Sequence, residues 1–143
     1  MQAQTHLRMS IGLCAIFVAS GVWLEAMIGL RVSGWFDHPL QREFLRLGHA
    51  HGGILSMLNI GLSWGLHHLQ TPAGWARRIR LAGLVGAALV GLGFFVGGLT
   101  HGPTDPGPVI LIVPAGAFLL VMSLAATALV RPGDIEIQSP DTQ

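Results

Sequence analysis

Apolar and polar positions divide the chain into four long apolar segments joined by short polar ones. The apolar segments cover about 10–30, 47–69, 79–99 and 109–130, and the polar segment 131–143 follows the last of them. Each apolar segment is long enough to cross a bilayer, whose hydrocarbon core takes about 20 helical residues. The pattern predicts an all-α protein: a single domain that forms an integral membrane four-helix bundle with a polar C-terminal tail.

The composition supports this interpretation. The chain has 143 residues, of which 51% are hydrophobic and 10% charged, whereas soluble domains carry about 25% charged residues. The formal net charge of +1 gives no basis for a nucleic-acid partner. The lone cysteine, Cys14, cannot form an internal disulfide. We therefore expect the lipid bilayer to be the main partner and expect no nucleic-acid binding.

The first apolar segment also has some features of a signal peptide. Arg8 precedes it, and the small residues Ala19, Ser20 and Gly21 resemble a cleavage site. The apolar run continues well past these residues, however. We expect the segment to be retained as the first membrane helix.

The distribution of arginine predicts how the helices are oriented. With four crossings, one side of the membrane receives five arginines: Arg8, Arg77, Arg78, Arg80 and Arg131. The other side receives Arg31, Arg42 and Arg46. Cytoplasmic loops are enriched in such residues. The pattern predicts a multi-pass protein of the bacterial inner membrane with both termini in the cytoplasm.

Small residues recur at helical spacing within two of the predicted helices. Gly48, Gly52 and Asn59 share one face of the second, and a stripe follows the third: Gly83, Gly86, Gly93 and Gly97. Small residues let membrane helices approach closely. We interpret these positions as packing surfaces, and we expect so small a bundle to form homo-oligomers.

Several ionisable residues are predicted to lie in one layer near the outer face. Glu25 precedes the end of the first helix on a face with Cys14 and Gly21, which we expect to look inward. The topology brings three histidines to the same depth: His49, His51 and His101. An acidic side chain at the centre of a membrane helix costs about 2.5–3.5 kcal/mol, and ionisable residues inside a bilayer usually mark function.

His49 and His51 are separated by one residue, which places them about 200° apart on an α-helix. Their side chains should therefore contact different neighbours and have different roles. We expect His67 and His68 to lie at the headgroup level, and His6 and His38 to lie at the surface.

The segment Gly48-His49-Ala50-His51-Gly52-Gly53-Ile54-Leu55-Ser56 resembles the helix of haem-copper oxidases that carries a GHxHxG-type pattern. In that family the two histidines hold two haem irons, one on each side of the helix. The resemblance implies that His49 binds the haem of the active centre and His51 the electron-transfer haem. It also implies that Arg42 and Arg46 meet the haem propionates. The chain has no tyrosine, and the family's copper-ligating histidine pair has no counterpart, so an oxygen-reducing centre is not expected.

The overall plan also resembles small uncharacterised bacterial membrane proteins and is loosely similar to hydroxylaminobenzene mutases. The sequence therefore leaves three functions open. The first is a membrane haem- or metal-binding protein, with a redox role and a redox partner or small-molecule substrate. It would hold haem b or a copper, iron or zinc ion through His49, His51, His101 and Glu25.

The second function is a cofactor-free membrane isomerase of the hydroxylaminobenzene mutase kind. Glu25 would be the catalytic general base and a histidine the general acid. A low-dielectric site shifts the pKa values of such groups toward the range that acid–base catalysis needs. The third is a structural or assembly subunit, or a small transporter, in which the histidines serve helix contacts or proton relay.

Overall fold

The computed structural model describes residues 1–35 and 37–130, which form an all-α structure of four α-helices. The helices are α1, Ala3–Gly29; α2, Pro39–His68; α3, Ala73–Leu99; and α4, Ile112–Leu129. A short 3₁₀ helix, Pro108–Leu111, leads into α4. The predicted all-α class is confirmed, and the polar tail 131–143 lies outside the described residues.

The first three helices begin several residues before the predicted apolar segments. α1 starts at Ala3 and not near residue 10, because the polar residues ahead of the apolar run continue the same helix. α2 starts at Pro39 and not near residue 47. Proline suits the first turn of a helix, where its missing N–H has no intrahelical partner and its φ angle is already helical. The extra turns of α2 change the level at which its histidines lie.

α1 and α2 end in the same type of cap. After α2, Gln70 adopts a left-handed conformation with φ of 51°, and its N–H donates to the carbonyl of His67. The N–H of Thr71 then donates to the carbonyl of Leu66. This is the bond pattern of a Schellman motif, in which glycine is the usual left-handed residue. Arg31, with φ of 49°, has the equivalent position after α1.

Close packing at glycines holds the helices together. The ring of Phe17 in α1 lies against Gly52 of α2 and Gly91 of α3, where a Cβ on either glycine would overlap with it. Gly86 of α3 and Gly116 of α4 meet in the same way, since a Cβ on Gly86 would lie 2.7 Å from the carbonyl oxygen of Gly116. The predicted role in helix packing is therefore confirmed for Gly52 and Gly86.

Three helical segments are long and apolar enough to cross a membrane: Ala3–Gly29, Ala73–Leu99 and Pro108–Leu129. Their surfaces carry large exposed apolar side chains such as Val22, which is 67% exposed, and Phe118, which is 63% exposed. These features indicate a membrane protein. α2 is not among the three segments, since it combines apolar residues with many polar and charged ones.

Candidate functional site: a groove between α1 and α2

A groove of about 630 Å³ opens between the second half of α1 and the first half of α2. Four ionisable residues line it: Glu25, Glu43, Arg46 and His49. The rest of the wall is largely apolar, from Val18, Val22, Leu24, Ile28 and Leu47. Pockets of roughly 300–1,000 Å³ with a few polar groups in an apolar wall are typical of small-molecule and cofactor sites. We call this cavity the α1/α2 groove.

A smaller cavity of about 310 Å³ adjoins the groove. It shares Glu43 and Arg46 with the groove and adds the half-buried Arg42. The two arginines that the sequence places near the histidines are therefore both in the walls of this connected space.

The imidazole of His49 is fixed in place by α1. Its Nδ1–H donates a hydrogen bond to the carbonyl oxygen of Phe17 at 2.7 Å, and its ring lies against Gly21. Because a carbonyl oxygen can only accept, Nδ1 carries the proton and Nε2 of the neutral ring keeps its lone pair. His49 thus contributes to the groove a ring held by α1, and its Nε2 lies beside Gly21 without a hydrogen bond to the described residues.

Glu25 lies on the same wall but is exposed, while its neighbour Leu24 is 3% exposed and belongs to the core. The expectation that Glu25 looks inward is therefore wrong, although Gly21 of the same predicted face does pack against His49. The buried face passes through Leu24, and Glu25, one residue further along the helix, turns toward the open groove. The structure does bring Glu25 and His49 to one cavity, as the topology predicts.

His51 lies outside the groove. Its ring centroid is 5.1 Å from that of Phe94 in α3, and its Nδ1–H donates to the carbonyl of Leu47 at 2.9 Å. His49 contacts α1, whereas His51 contacts α3, so the predicted separation of the two rings onto different helix faces is confirmed.

His101 pairs with a different histidine. Its ring centroid is 5.2 Å from that of His38, which precedes α2. The packing of α3 against α2 explains this position, because a Cβ on Gly98 would lie 3.1 Å from the carbonyl oxygen of Gln41. His101 is therefore level with the first turn of α2.

Ten residues of helix separate Pro39 from His49, which amounts to about 15 Å at 1.5 Å per residue. The predicted common depth of His101 and His49 is therefore wrong. The reason is the early start of α2, whose extra turns carry His49 farther from the loops than the apolar segment alone implies.

The described residues, 1–35 and 37–130, contain no group of three or more His, Cys, Asp or Glu side chains placed to hold a metal ion. The four predicted metal ligands occupy three places. Glu25 and His49 line the groove, His51 packs on Phe94, and His101 packs on His38.

Sequence reasoning missed a buried polar contact at the opposite half of the bundle. His6, expected at the surface, is fully buried, and its Nε2–H donates to Oδ1 of Asn59 at 3.3 Å. The amide of Asn59 in turn donates to the carbonyls of Leu55 at 2.9 Å and Gly83 at 3.1 Å. Asn59 therefore joins α1, α2 and α3.

The sequence does contain a signal for this contact. His6, Ser10, Phe17 and Leu24 are buried and follow one another at steps of four and seven residues. Such spacing is typical of the inward face of a helix. The signal is missed when α1 is taken to begin at its apolar run near residue 10.

Searches of protein-family models, curated proteins and solved structures give no match for this chain. The functional interpretation therefore depends on the chemistry of the groove itself.

Proposed function

We propose that the chain is a multi-pass protein of the bacterial inner membrane in which all four helices cross the bilayer. The length of α2, 30 residues, supports its inclusion, as do its exposed apolar side chains Ile54, Met57 and Trp64. The start of α1 and the α2–α3 loop lie at one end of the bundle. That end carries Arg8 and the arginines of early α3, which favours a cytoplasmic location for both termini.

We further propose that the α1/α2 groove binds haem b through His49. The observation that carries this proposal is the hydrogen bond from Nδ1 of His49 to the carbonyl of Phe17, which leaves Nε2 as a lone-pair donor. Metal-binding histidines generally donate their other ring N–H to a carbonyl or carboxylate, which fixes the ring and its tautomer.

The ligand count favours haem over a bare ion. A bare zinc ion takes three or four protein ligands, and no such group occurs in residues 1–35 and 37–130. A porphyrin brings its own nitrogen ligands, so a single histidine is enough to hold the iron. Arg46 in the groove and Arg42 in the adjoining cavity are suitable partners for propionates.

A bound haem would supply one-electron chemistry. The protein would contribute the His49 imidazole that holds the iron, the cationic residues Arg42 and Arg46 for the propionates, and the apolar wall that limits water. The assignment of His51 to a second haem stays a prediction from the resemblance.

The test is the absorption spectrum of protein purified after expression with a haem precursor, together with elemental analysis. We expect a Soret band and about one iron per chain. His49→Ala and the bulkier His49→Gln should both lose the band, whereas His38→Ala, a control at an exposed histidine outside the groove, should retain it. Added imidazole should restore the band in His49→Ala, because the free ligand can occupy the space of the missing ring.

A wild-type protein without a Soret band would overturn the haem proposal, whether or not it holds a metal ion. Loss of the band in His38→Ala to the same degree as in His49→Ala would also count against it, because the effect would then not be specific to the groove.

The shared location of Glu25 and His49 favours a second candidate, a cofactor-free isomerase acting on a small amphipathic molecule such as an aromatic hydroxylamine. Glu25 would take a proton from the substrate, and His49, protonated at Nε2, would return one at another atom. The reaction is an internal rearrangement with no net gain or loss of electrons. The apolar wall of the groove suits an aromatic ring.

This candidate predicts turnover of phenylhydroxylamine by protein freed of haem and metal, followed by chromatography of the products. Glu25→Gln should lower the rate at least about 100-fold, the usual scale of a general base. Glu43→Gln, which changes another carboxylate of the same wall, is the matched control and should retain most of the rate. Equal rates in wild-type protein and Glu25→Gln would exclude this mechanism.

A further inference from the structure

A second cavity, of about 940 Å³, lies at the other end of the bundle, where α1 begins, α2 ends and α3 begins. Seven polar residues line it: Gln2, His67, His68, Gln70, Thr71, Arg77 and Arg80. We call it the α2/α3 cavity. It shares no residue with the α1/α2 groove, so its function is independent of the haem proposal.

The charged side chains that line this cavity are all positive. Its walls include Arg77 and Arg80 but no aspartate or glutamate. The acidic residues of the described chain belong to the opposite half of the bundle and its loops: Glu25, Asp37, Glu43 and Asp105. No carboxylate from the described residues therefore neutralises the two guanidinium groups, and a cavity lined by one sign of charge concentrates ions of the other sign.

Two polar atoms in the cavity wall have no partner. Nε of Arg80 and Oγ1 of Thr71 are both buried, and neither makes a hydrogen bond with the described residues. Nearly all buried polar groups in proteins are hydrogen-bonded, so exceptions need an explanation such as an ion. Both atoms are donors, and an oxyanion would accept from each of them.

The ends of the helices favour the same ligand. In the last turn of α2, the carbonyls of Leu66 and His67 already accept hydrogen bonds from the backbone N–H groups of Thr71 and Gln70, so these two acceptors are paired. The first turn of α3 has no acidic residue and no side-chain cap. Uncapped N–H groups at a helix start attract anions, and Ala73, the first residue of this turn, lines the cavity.

We propose that the α2/α3 cavity binds a phosphate group, carried either by the headgroup of an anionic phospholipid or by free inorganic phosphate. The guanidinium of Arg80 and that of Arg77 match the paired oxygens of phosphate, and the Thr71 hydroxyl donates a further hydrogen bond. A tetrahedral oxyanion thus satisfies both the charge of the cavity and its two unpartnered donors.

The test is titration calorimetry of the full chain in dodecyl maltoside, a detergent without phosphate. Two probes are used: inorganic phosphate and short-chain dihexanoyl phosphatidylglycerol. Arg80→Gln and Arg77→Gln should each weaken binding at least tenfold. Arg78→Gln is the matched control and should change affinity less than twofold, because Arg78 does not line the cavity and its guanidinium lies 5.8 Å from the ring centroid of Trp75.

Thr71→Val gives a test that leaves the charge unchanged. It removes the unpartnered hydroxyl while keeping the size of the side chain, and it should weaken binding severalfold even if an arginine variant fails to fold. Binding of phosphatidylglycerol alone identifies a lipid headgroup as the ligand, and comparable binding of inorganic phosphate identifies the free ion. Lack of binding of both probes to wild-type protein, or an equal loss in Arg78→Gln, would overturn the proposal.

Discussion

The imidazole of His49 occupies the space that a side chain at Gly21 would need. A Cβ at position 21 would come within 2.7 Å of Nδ1 of His49 and closer still to Cε1. The same ring nitrogen bonds to the carbonyl of Phe17, one helical turn before Gly21. The groove therefore depends on the absence of a side chain on α1 as much as on the presence of the histidine on α2.

Gly21→Ala should displace the His49 ring and break its bond to Phe17. Overpacking of this kind costs about 1–3 kcal/mol, which unfolding in a denaturing detergent can measure. The proposed haem band should weaken in parallel. Gly12→Ala on the same helix is the control, since a Cβ at Gly12 meets nothing within 4 Å. It should be neutral or slightly stabilising, and a similar loss in both variants would contradict this account.

Gly91→Ala should destabilise the junction of three helices. The new methyl group would overlap with the ring of Phe17 and would lie 2.7 Å from Cα of Gly52. Because backbone atoms cannot move aside as a flexible side chain can, we expect a loss of about 1–3 kcal/mol in the free energy of unfolding. Gly53→Ala, where nothing lies within 4 Å, should leave stability almost unchanged.

His6 and Asn59 should show a measurable coupling energy in a double-mutant cycle. Hydrogen bonds between membrane helices contribute about 0.6 kcal/mol on average and at most about 1.7 kcal/mol. His6→Ala and Asn59→Ala should therefore be non-additive by this amount. His6→Ala combined with His51→Ala, whose ring packs elsewhere on Phe94, should be additive within about 0.5 kcal/mol.

Gln70→Gly should stabilise the protein by about 1 kcal/mol. A residue with a Cβ pays roughly 1–2 kcal/mol in the left-handed region, and Gln70 has φ of 51°. The gain is partly offset by the greater freedom of glycine in the unfolded chain. Gln70→Ala keeps the unfavourable conformation and should give no gain, so equal stability in the two variants would argue against the capped structure.

The sequence predicted the number of helices and the all-α class because an apolar segment of about 20 residues has few stable structures other than a helix. It also predicted the close packing at Gly52 and Gly86, since small residues at helical spacing have few other uses inside a bundle. The separation of His49 and His51 followed from helix geometry alone. These features depend on local periodicity, which a single sequence contains.

The positions of Glu25, His101 and His6 could not be derived in the same way. Each depends on where a helix begins or how it is rotated, and hydropathy marks the apolar part of a helix but not its polar ends. The first turns of α1 and α2 are polar yet helical. When depth in the bundle is counted from the ends of the apolar segments, His49 is placed too close to the loops. The same count places His6 outside the bundle.

α1 and α2 each donate a histidine hydrogen bond to the other helix. His6 of α1 reaches Asn59 of α2, and His49 of α2 reaches the Phe17 carbonyl of α1. Smooth glycine surfaces can slide over one another with little resistance, but a shift of one turn, about 5.4 Å, would break both contacts together. These two reciprocal bonds therefore fix the axial alignment of α1 and α2 at two separate levels of the bundle.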